Sequence, residues 1–231
     1  MKLRRVILSI MCLSLVLSGC SSQTKYSSYA QTEDLLKVGV IGAFADNEAY
    51  KKIYEPVIKK CAKAIYGSED RYTIIKTNSA TQTYSIDSSD VDISLLLIPK
   101  TDTLSSSYAL SDAYYTDQMV IISKSSDIKF SDLNGKHVGI LNDTAQKTIY
   151  NNAVKNANLN IDTDYFVSYP DMVDFLANDK IAAIVGPKLQ LQAYIKDGQN
   201  IGESFADIQY CIAASSSKSK WISAINKALK E

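Results

Sequence analysis

The chain has 231 residues, of which 46% are hydrophobic and 22% are charged, and its formal net charge at pH 7 is zero. These values are typical of a globular protein with one sizeable core or two modest ones, and they exclude a disordered chain. Beyond the first five residues the sequence has no long run of basic side chains, so we expect no nucleic-acid partner.

The first residues have the pattern of an export signal. Three basic side chains precede an apolar stretch, residues 6–16, which is too short for a permanent membrane span. The following sequence LSGC, residues 17–20, resembles the processing box of bacterial lipoproteins, in which the cysteine becomes the lipid-bearing first residue. We therefore expect residues 1–19 to be a signal peptide and Cys20 to carry a lipid such as palmitate. A plain secretory signal with a chance cysteine is the alternative.

Cleavage before that cysteine would change the charge balance. It would leave 22 basic residues against 25 acidic ones, a net charge of about −3. Residues 20–35 are rich in Ser, Thr and Gln and have no apolar periodicity, which predicts a flexible tether between the lipid and the folded part. The lipid would hold the protein in the cell envelope, on the outer face of the cytoplasmic membrane or in the periplasm.

Cysteine and histidine usage argues against a metal site. The only histidine is His137, and the two cysteines of the folded part, Cys61 and Cys211, lack metal-ligand spacing. We expect them to be separately buried thiols, and a disulfide between them is the alternative that an exported chain allows. The sequence predicts no metal and no cofactor.

Strand-like and helix-like segments alternate along the rest of the chain. Compact β-rich runs predict strands at residues 36–41, 72–77, 92–98, 118–123, 137–141, 164–169, 181–186 and 208–214. Apolar positions at three- and four-residue spacing predict helices at residues 47–67, 144–157, 170–179, 188–196 and 220–230. This alternation predicts an α/β fold with parallel sheets.

Three segments carry further predictions. Pro56 lies inside the first helical pattern and predicts a kink or a break near Glu55. Residues 92–98 are apolar on both faces, which is typical of a strand in the middle of a parallel sheet. Residues 99–115 are polar and rich in Ser, Thr and Tyr, and we expect them to form a surface loop that lines a site.

The corner formed by Asn142, Asp143, Thr144 and Ala145 joins a strand directly to a helix. We expect Asp143 to cap the helix by accepting from the backbone N–H of Gln146, and Gln146 to reach back in a capping box. The N–H groups of Thr144 and Ala145 would then be free at the positive end of the helix dipole, where they suit an anion or a carbonyl oxygen. An ordinary helix cap with no ligand is the alternative.

Several motifs carry a family resemblance. Residues 110–114 read LSDAY, residues 132–136 read DLNGK, and the turn after the next strand contains Asp143 and Thr144. Together with a helix-then-strand return at residues 172–186, these motifs resemble the bacterial extracellular solute-binding proteins of family 3, the amino-acid-type receptors of ABC importers. The resemblance covers most of the folded part of the chain.

This resemblance implies a two-lobe type II periplasmic-binding-protein-like fold with a hinge of two crossing strands. Lobe one would comprise residues 36–118 and 188–231, and lobe two would comprise residues 119–187 with the hinge strands counted in. It also implies a monomeric, lipid-anchored receptor that binds a small polar solute between the lobes and delivers it to an ABC permease.

The charged groups with which family members grip an amino acid are missing. The arginine position falls near Leu104, and the aspartate position is Pro187. Hydroxyl and aromatic side chains would suit a neutral or weakly anionic polar solute instead. We expect Phe44 either to stack on the ligand or to belong to the core. The candidate ligand contacts are Phe44, Thr101, Thr103, Ser106, Tyr114, Asn142, Asp143, Thr144 and Ala145.

Two other function classes are alternatives to the receptor. The absence of the charged groups also favours a degenerate two-lobe module that acts in signalling or protein contact without a small ligand. Enzyme activity is disfavoured, because acid-base chemistry needs a positioned carboxylate or histidine, and neither a carboxylate pair near the expected cleft nor His137 supplies one.

Overall fold

The computed structural model describes residues 34–78 and 83–231. The predicted signal peptide, Cys20 and nearly all of the predicted tether lie outside these residues. Within them, none of the helices combines the length and the apolar character that a bilayer crossing requires.

In the described residues the strands form two five-stranded sheets. The strands are β1 (Leu36–Ile41), β2 (Tyr72–Thr77), β3 (Ile93–Ser94), β4 (Tyr108–Leu110), β5 (Tyr115–Ser123), β6 (His137–Leu141), β7 (Asp162–Phe166), β8 (Ala183–Pro187), β9 (Asn200–Tyr210) and β10 (Ala213–Ser215). Sheet one has the order β2-β1-β3-β10-β4, and sheet two has the order β7-β6-β8-β5-β9.

Helices cover these sheets. They are α1 (Gly42–Ala45), α2 (Glu48–Tyr66), α3 (Tyr84–Asp87), α4 (Asp102–Ser107), α5 (Thr144–Asn156), α6 (Tyr169–Ala177), α7 (Lys188–Leu191) and α8 (Ser219–Leu229). Short 3₁₀ helices lie at Phe130–Leu133 and Ser216–Lys218. The α/β class is as predicted from the sequence.

The prediction that both sheets are parallel is wrong. β1 runs parallel to β2 and β3, but β10 runs antiparallel to β3 and β4. In sheet two, β6 runs parallel to β7 and β8, whereas β5 runs antiparallel to β8 and β9. β5 follows directly after β4 of sheet one, and β9 leads directly into β10 of sheet one. Neither connection contains the crossover helix that parallel pairing requires.

Helix α2 forms where the sequence predicts it. The Asn47 side chain caps it by accepting from the Ala49 N–H, and Gly67 ends it in the left-handed conformation with φ 76°. The expected break near Glu55 is absent, and the helix continues through Pro56. Proline has no N–H, so one backbone hydrogen bond of the helix is missing at Pro56. Because Pro56 is exposed, this bond is missing on the solvent side, where water can replace it.

Both faces of sheet one are covered by apolar side chains. Helices α2 and α8 pack on one face, where Tyr54, Ile58 and Ile225 join the β1 side chains in one cluster. The other face holds a smaller cluster with contributions from α3 and α4. The adjacent residues Ala213 and Ala214 of β10 belong to different clusters, as expected for alternating side chains of a strand.

Sheet two is also buried on both faces. Helix α6 packs on one face through Met172, Val173 and Leu176. Tyr150 of α5 and the 3₁₀ helix Phe130–Leu133 cover the other. The two sheets therefore have separate cores, as the prediction of two α/β lobes requires.

Two predicted strands differ from the structure. Only Ile93–Ser94 of residues 92–98 pairs as a strand, because Leu96 and Leu97 have φ angles of 76° and 61° and cannot continue it. The predicted strand 208–214 is divided between β9 and β10. β9 pairs with β5 in sheet two, whereas residues 188–231 are predicted to belong to lobe one. The exact lobe boundaries remain a prediction.

Candidate functional site

A hydrogen bond joins helix α2 on sheet one to helix α7 beside sheet two. The Tyr50 hydroxyl donates to the backbone carbonyl oxygen of Leu189 at 3.0 Å, and both residues are buried. Helix α7 itself lies between the two cores, because Leu189 packs in the cluster of sheet one and Leu191 packs in a cluster of sheet two. The contact therefore lies where the two halves of the protein meet.

The carboxylate of Asp117 lies next to this contact. Asp117 belongs to β5, is only 4% exposed, and accepts from the backbone N–H groups of Leu189 at 2.9 Å and Gln118 at 2.8 Å. Burial raises the pKa of this carboxyl group, and the two N–H groups and the charge of Lys188 oppose the shift without cancelling it.

A chain of buried side-chain hydrogen bonds continues from α7 into sheet two. Gln146 Nε2 donates to the Tyr169 hydroxyl at 3.1 Å, and that hydroxyl donates to Gln190 Oε1. Gln190 Nε2 donates to the Tyr210 hydroxyl at 3.4 Å. The four residues come from α5, α6, α7 and β9, and all are at least nine-tenths buried. We refer to Tyr50, Asp117, Gln146, Tyr169, Gln190 and Tyr210 as the polar cluster.

The tyrosines of the polar cluster stay neutral at physiological pH. Burial raises the pKa of Tyr50, Tyr169 and Tyr210 well above the usual value of 10.0. For Tyr50 and Tyr210 the negative charge of Asp117 raises the pKa further. These residues can therefore offer hydroxyl groups and aromatic faces to a ligand, but no charge.

A cavity of about 370 Å³ opens beside Asp117. Its size is within the range of about 300 to 1,000 Å³ that small-molecule sites occupy. Its lining comes from the start of β5, from α7 and from β9, and consists of Tyr115, Thr116, Asp117, Gln118, Lys188, Leu189, Gln192 and Asp207. Two carboxylates and one ammonium group thus border it.

The Asn142 to Ala145 corner has the predicted cap but not the predicted capping box. Asp143 accepts from the Gln146 N–H at 2.9 Å, whereas the Gln146 side chain turns away to Tyr169. Asn142 Oδ1 accepts from the Lys147 ammonium at 2.7 Å. Thr144 is exposed and Ala145 is buried, and neither backbone N–H has a partner among residues 34–78 and 83–231. That these N–H groups bind a ligand remains a prediction.

Phe44 lies beside the polar cluster. Its ring stacks on that of Tyr50, with centroids 4.5 Å apart and planes inclined by 20°. It is half-buried and packs against the core of sheet one, so the stacking partner in this structure is a protein side chain.

The Tyr114 side chain stabilises a backbone turn, a role that was not predicted from the sequence. Its hydroxyl accepts from the backbone N–H of Leu96 at 3.0 Å. Leu96 and Leu97 are the two consecutive residues with positive φ, a conformation that costs free energy in residues other than glycine. The Tyr114 hydroxyl stabilises this turn, and its ring packs with Met119 at the start of sheet two.

The structure does not bring the hydroxyls of α4 to the other candidate residues. Thr101 caps α4 by accepting from the Leu104 N–H at 3.3 Å, and the Ser106 hydroxyl donates to the Thr103 carbonyl oxygen at 2.7 Å. Leu104 packs on the opposite face of sheet one from the cluster that Phe44 joins. The reason is local, since the expected loop folds into a short helix whose own backbone uses these hydroxyls.

Most of the polar cluster was not predicted from the sequence. The available signals were a carboxylate directly before a predicted strand at Asp117 and single amides in helical segments at Gln146 and Gln190. Each is an ordinary feature in isolation, and only the tertiary contacts give it significance.

The described part of the chain offers no metal site. Across residues 34–78 and 83–231 no group of three or more His, Cys, Asp or Glu side chains is arranged to hold an ion. Cys61 and Cys211 are free, buried thiols, as predicted. Burial raises the pKa of each to about 12.

No protein-family model matches this chain. Its structure is similar to that of holo ArgBP from T. maritima, with 18% sequence identity, coverage of 85% of this chain and 89% of that one, and a TM-score of 0.61. An ancestral arginine-binding protein bound to arginine matches with 22% identity, coverage of 87% and 92%, and a TM-score of 0.63.

A third similar structure is an ABC transporter periplasmic binding protein from Brucella ovis with glutathione bound. It has 14% identity, coverage of 84% of this chain and 66% of that one, and a TM-score of 0.66. The chain has the two-lobe periplasmic-binding-protein fold. In this fold the polar cluster lies where the two lobes meet.

Proposed function

We propose that this protein is a receptor that binds a small polar solute between its two lobes and delivers it to an ABC permease. The observation that carries the proposal is the polar cluster with its adjoining cavity. Polar side chains are costly to bury unless they are hydrogen-bonded, and several donors of this cluster have capacity for a further partner.

The hydrogen-bonding capacity of the cluster supports the proposal. The amides of Gln146 and Gln190 each have two N–H donors, and each donates one hydrogen bond to another residue of the described chain. The hydroxyl hydrogen of Tyr210 is also available when that oxygen accepts from Gln190. A solute with acceptor groups would complete these bonds and hold the lobes together.

The similar structures support the same role. Two of those proteins bind arginine and glutathione, respectively. Hinge closure around a solute is the motion that such two-lobe folds use, and here β5 and β9 are the strands that connect the lobes.

The anchor and the location belong to the same proposal. Cys20 would carry the lipid, the protein would act as a monomer in the cell envelope, and it would have no enzymatic activity. The absence of charged anchors at Leu104 and Pro187 argues against a zwitterionic α-amino acid held in the usual way of family 3.

A ligand screen tests the receptor role. A solute at about 100 times its Kd should stabilise the folded protein by about 2.7 kcal/mol, which a thermal-shift assay detects as a higher Tm. Small-angle scattering with the same solute should report a smaller radius of gyration. If cationic, neutral and anionic solutes all leave the Tm unchanged, the proposal is wrong.

One observation favours a second candidate, a two-lobe module that acts through protein contacts without a small ligand. The Tyr50–Leu189 hydrogen bond already joins the two halves, as a bound solute would otherwise do. On this hypothesis the scattering profile stays constant in every solute mixture, while crosslinking in cells captures a protein partner.

A further inference from the structure

Asp117 stands out among the buried residues. Of the side chains that the structure describes as buried, it is the one that carries a formal charge at neutral pH. Its oxygens accept from two backbone N–H groups, and among residues 34–78 and 83–231 it forms no ion pair. An ionised carboxylate without a cation partner is costly to bury, and such groups are concentrated at functional sites.

Three tyrosine side chains lie near this carboxylate, since its charge acts on Tyr50, Tyr115 and Tyr210. Tyr115 lines the same cavity, and its ring lies nearly parallel to that of Tyr210, with centroids 6.4 Å apart and planes inclined by 5°. The Tyr50 hydroxyl binds the carbonyl of Leu189, the residue whose N–H binds Asp117. The face of an aromatic ring carries partial negative charge and attracts cations.

The formal charge of the cavity has the same sign. Asp117 and Asp207 contribute two negative charges, and Lys188 contributes one positive charge. Lys188 is exposed and stays in contact with water, so it compensates the buried carboxylate only weakly. The other lining residues are uncharged.

We propose that the solute carries an amine or quaternary ammonium group, and that this group binds in the cavity between the Asp117 carboxylate and the Tyr115 ring. This inference rests on the proposed receptor function and adds the chemical class of the ligand. An anionic group would lie close to Asp117 and be repelled. The sequence-based expectation of a neutral or weakly anionic solute relied on the hydroxyls of α4, and the structure shows those of Thr101 and Ser106 bonded within that segment.

Isothermal titration calorimetry on the purified full-length protein tests the inference. The probes are tetramethylammonium, choline, ethanolamine and agmatine, together with 3,3-dimethylbutan-1-ol, the neutral carbon analogue of choline, and a set of sugars and dicarboxylates. At least one cation should bind, and its neutral analogue should bind roughly 30-fold more weakly or not at all.

Two variants locate the charge. Asp117→Asn should weaken binding of the cation roughly 30-fold or more, whereas Asp207→Asn, a change in the same cavity at an exposed position, should weaken it by less than about 5-fold. If Asp117→Asn does not fold, Tyr115→Leu and Tyr115→Phe provide the second test. Tyr115→Leu, which lacks the ring, should weaken binding of the cation about threefold or more. Tyr115→Phe, which keeps the ring, should retain the affinity.

The outcomes separate the two proposals. Binding of neutral or anionic solutes without binding of any cation overturns this inference and leaves the receptor function in place. Cation binding that is equally strong in Asp117→Asn also overturns it. If no solute of any charge binds, the receptor function itself is wrong, and this inference fails with it.

Discussion

The Tyr50 hydroxyl donates a 3.0 Å hydrogen bond to the Leu189 carbonyl oxygen, although 139 positions separate the two residues in the chain. Tyr50 is held by the core of sheet one, and Leu189 follows directly after a strand of sheet two. The bond thus couples the two lobes through a group that is hidden from water.

Tyr50→Phe removes this bond and keeps the ring that stacks on Phe44. The buried carbonyl of Leu189 then loses the hydroxyl from which it accepts, and we expect the free energy of unfolding to fall by about 1 to 3 kcal/mol. Urea denaturation measures the change. Tyr84→Phe, at an exposed position, is the control and should leave stability unchanged. An equal effect of both variants would contradict the role of this contact.

Asp117→Asn should change how stability depends on pH. Burial raises the pKa of Asp117 in the folded protein above its usual value of 3.8, so the folded protein disfavours the ionised form. Its contribution to stability is therefore greatest at low pH and decreases as pH rises through the interval from 3.8 to the raised pKa. The variant lacks this decrease.

Urea denaturation at several pH values checks this sign. The unfolding free energy of Asp117→Asn minus that of the wild type should increase with pH across that interval and then level off. Asp207→Asn serves as the comparison at an exposed site of the same cavity. A difference that decreases with pH would show that the ionised carboxylate stabilises the fold.

Tyr169 and Gln190 should behave as a coupled pair. Gln190→Leu removes the nearer acceptor of the buried Tyr169 hydroxyl and leaves Gln146 Oε1, at 3.4 Å, as the other, which should cost about 1 kcal/mol of unfolding free energy. Tyr169→Phe combined with Gln190→Leu removes both partners and should cost less than the sum of the single changes by about 0.5 kcal/mol or more. Additive effects in this double-mutant cycle would contradict a shared network.

Cys61 and Cys211 should be unreactive in the folded protein. Burial raises the pKa of each thiol to about 12, so the reactive thiolate is rare at pH 8 and sterically shielded. In a Cys12→Ser, Cys20→Ser background, a disulfide exchange reagent should modify two thiols in urea and none rapidly under native conditions. Fast native modification of either thiol would disprove its burial.

Cys20→Ser should release the protein from the membrane. The lipid supplies the anchor in our proposal, so the variant should lose incorporation of labelled palmitate and appear in the soluble fraction. Cys12→Ser, inside the predicted signal peptide, is the control and should remain membrane-bound. Retention of Cys20→Ser on the membrane would favour the plain secretory signal combined with another means of attachment.

Local features of the site were readable from the sequence. The cap of α5 by Asp143 joins groups three residues apart, and the α2 helix depends on spacing within a single segment. Predictions from local patterns failed at two other places, where the three-dimensional surroundings decided the outcome. Pro56 was predicted to break a helix that continues, because its missing bond faces solvent, and residues 92–98 were predicted as one strand although the Tyr114 hydroxyl supports a turn at Leu96.

By itself the sequence determined the α/β class and the order of most elements, since these depend on periodicity and on short-range capping, and its motifs indicated the two-lobe fold. Only the tertiary structure decided which polar groups are buried together. Asp117 meets Leu189 across 72 positions and Tyr50 meets it across 139, and no pattern within a single strand or helix encodes such pairings. The hydroxyls of Thr101 and Ser106, which the sequence predicted as ligand contacts, instead form hydrogen bonds with the backbone of α4.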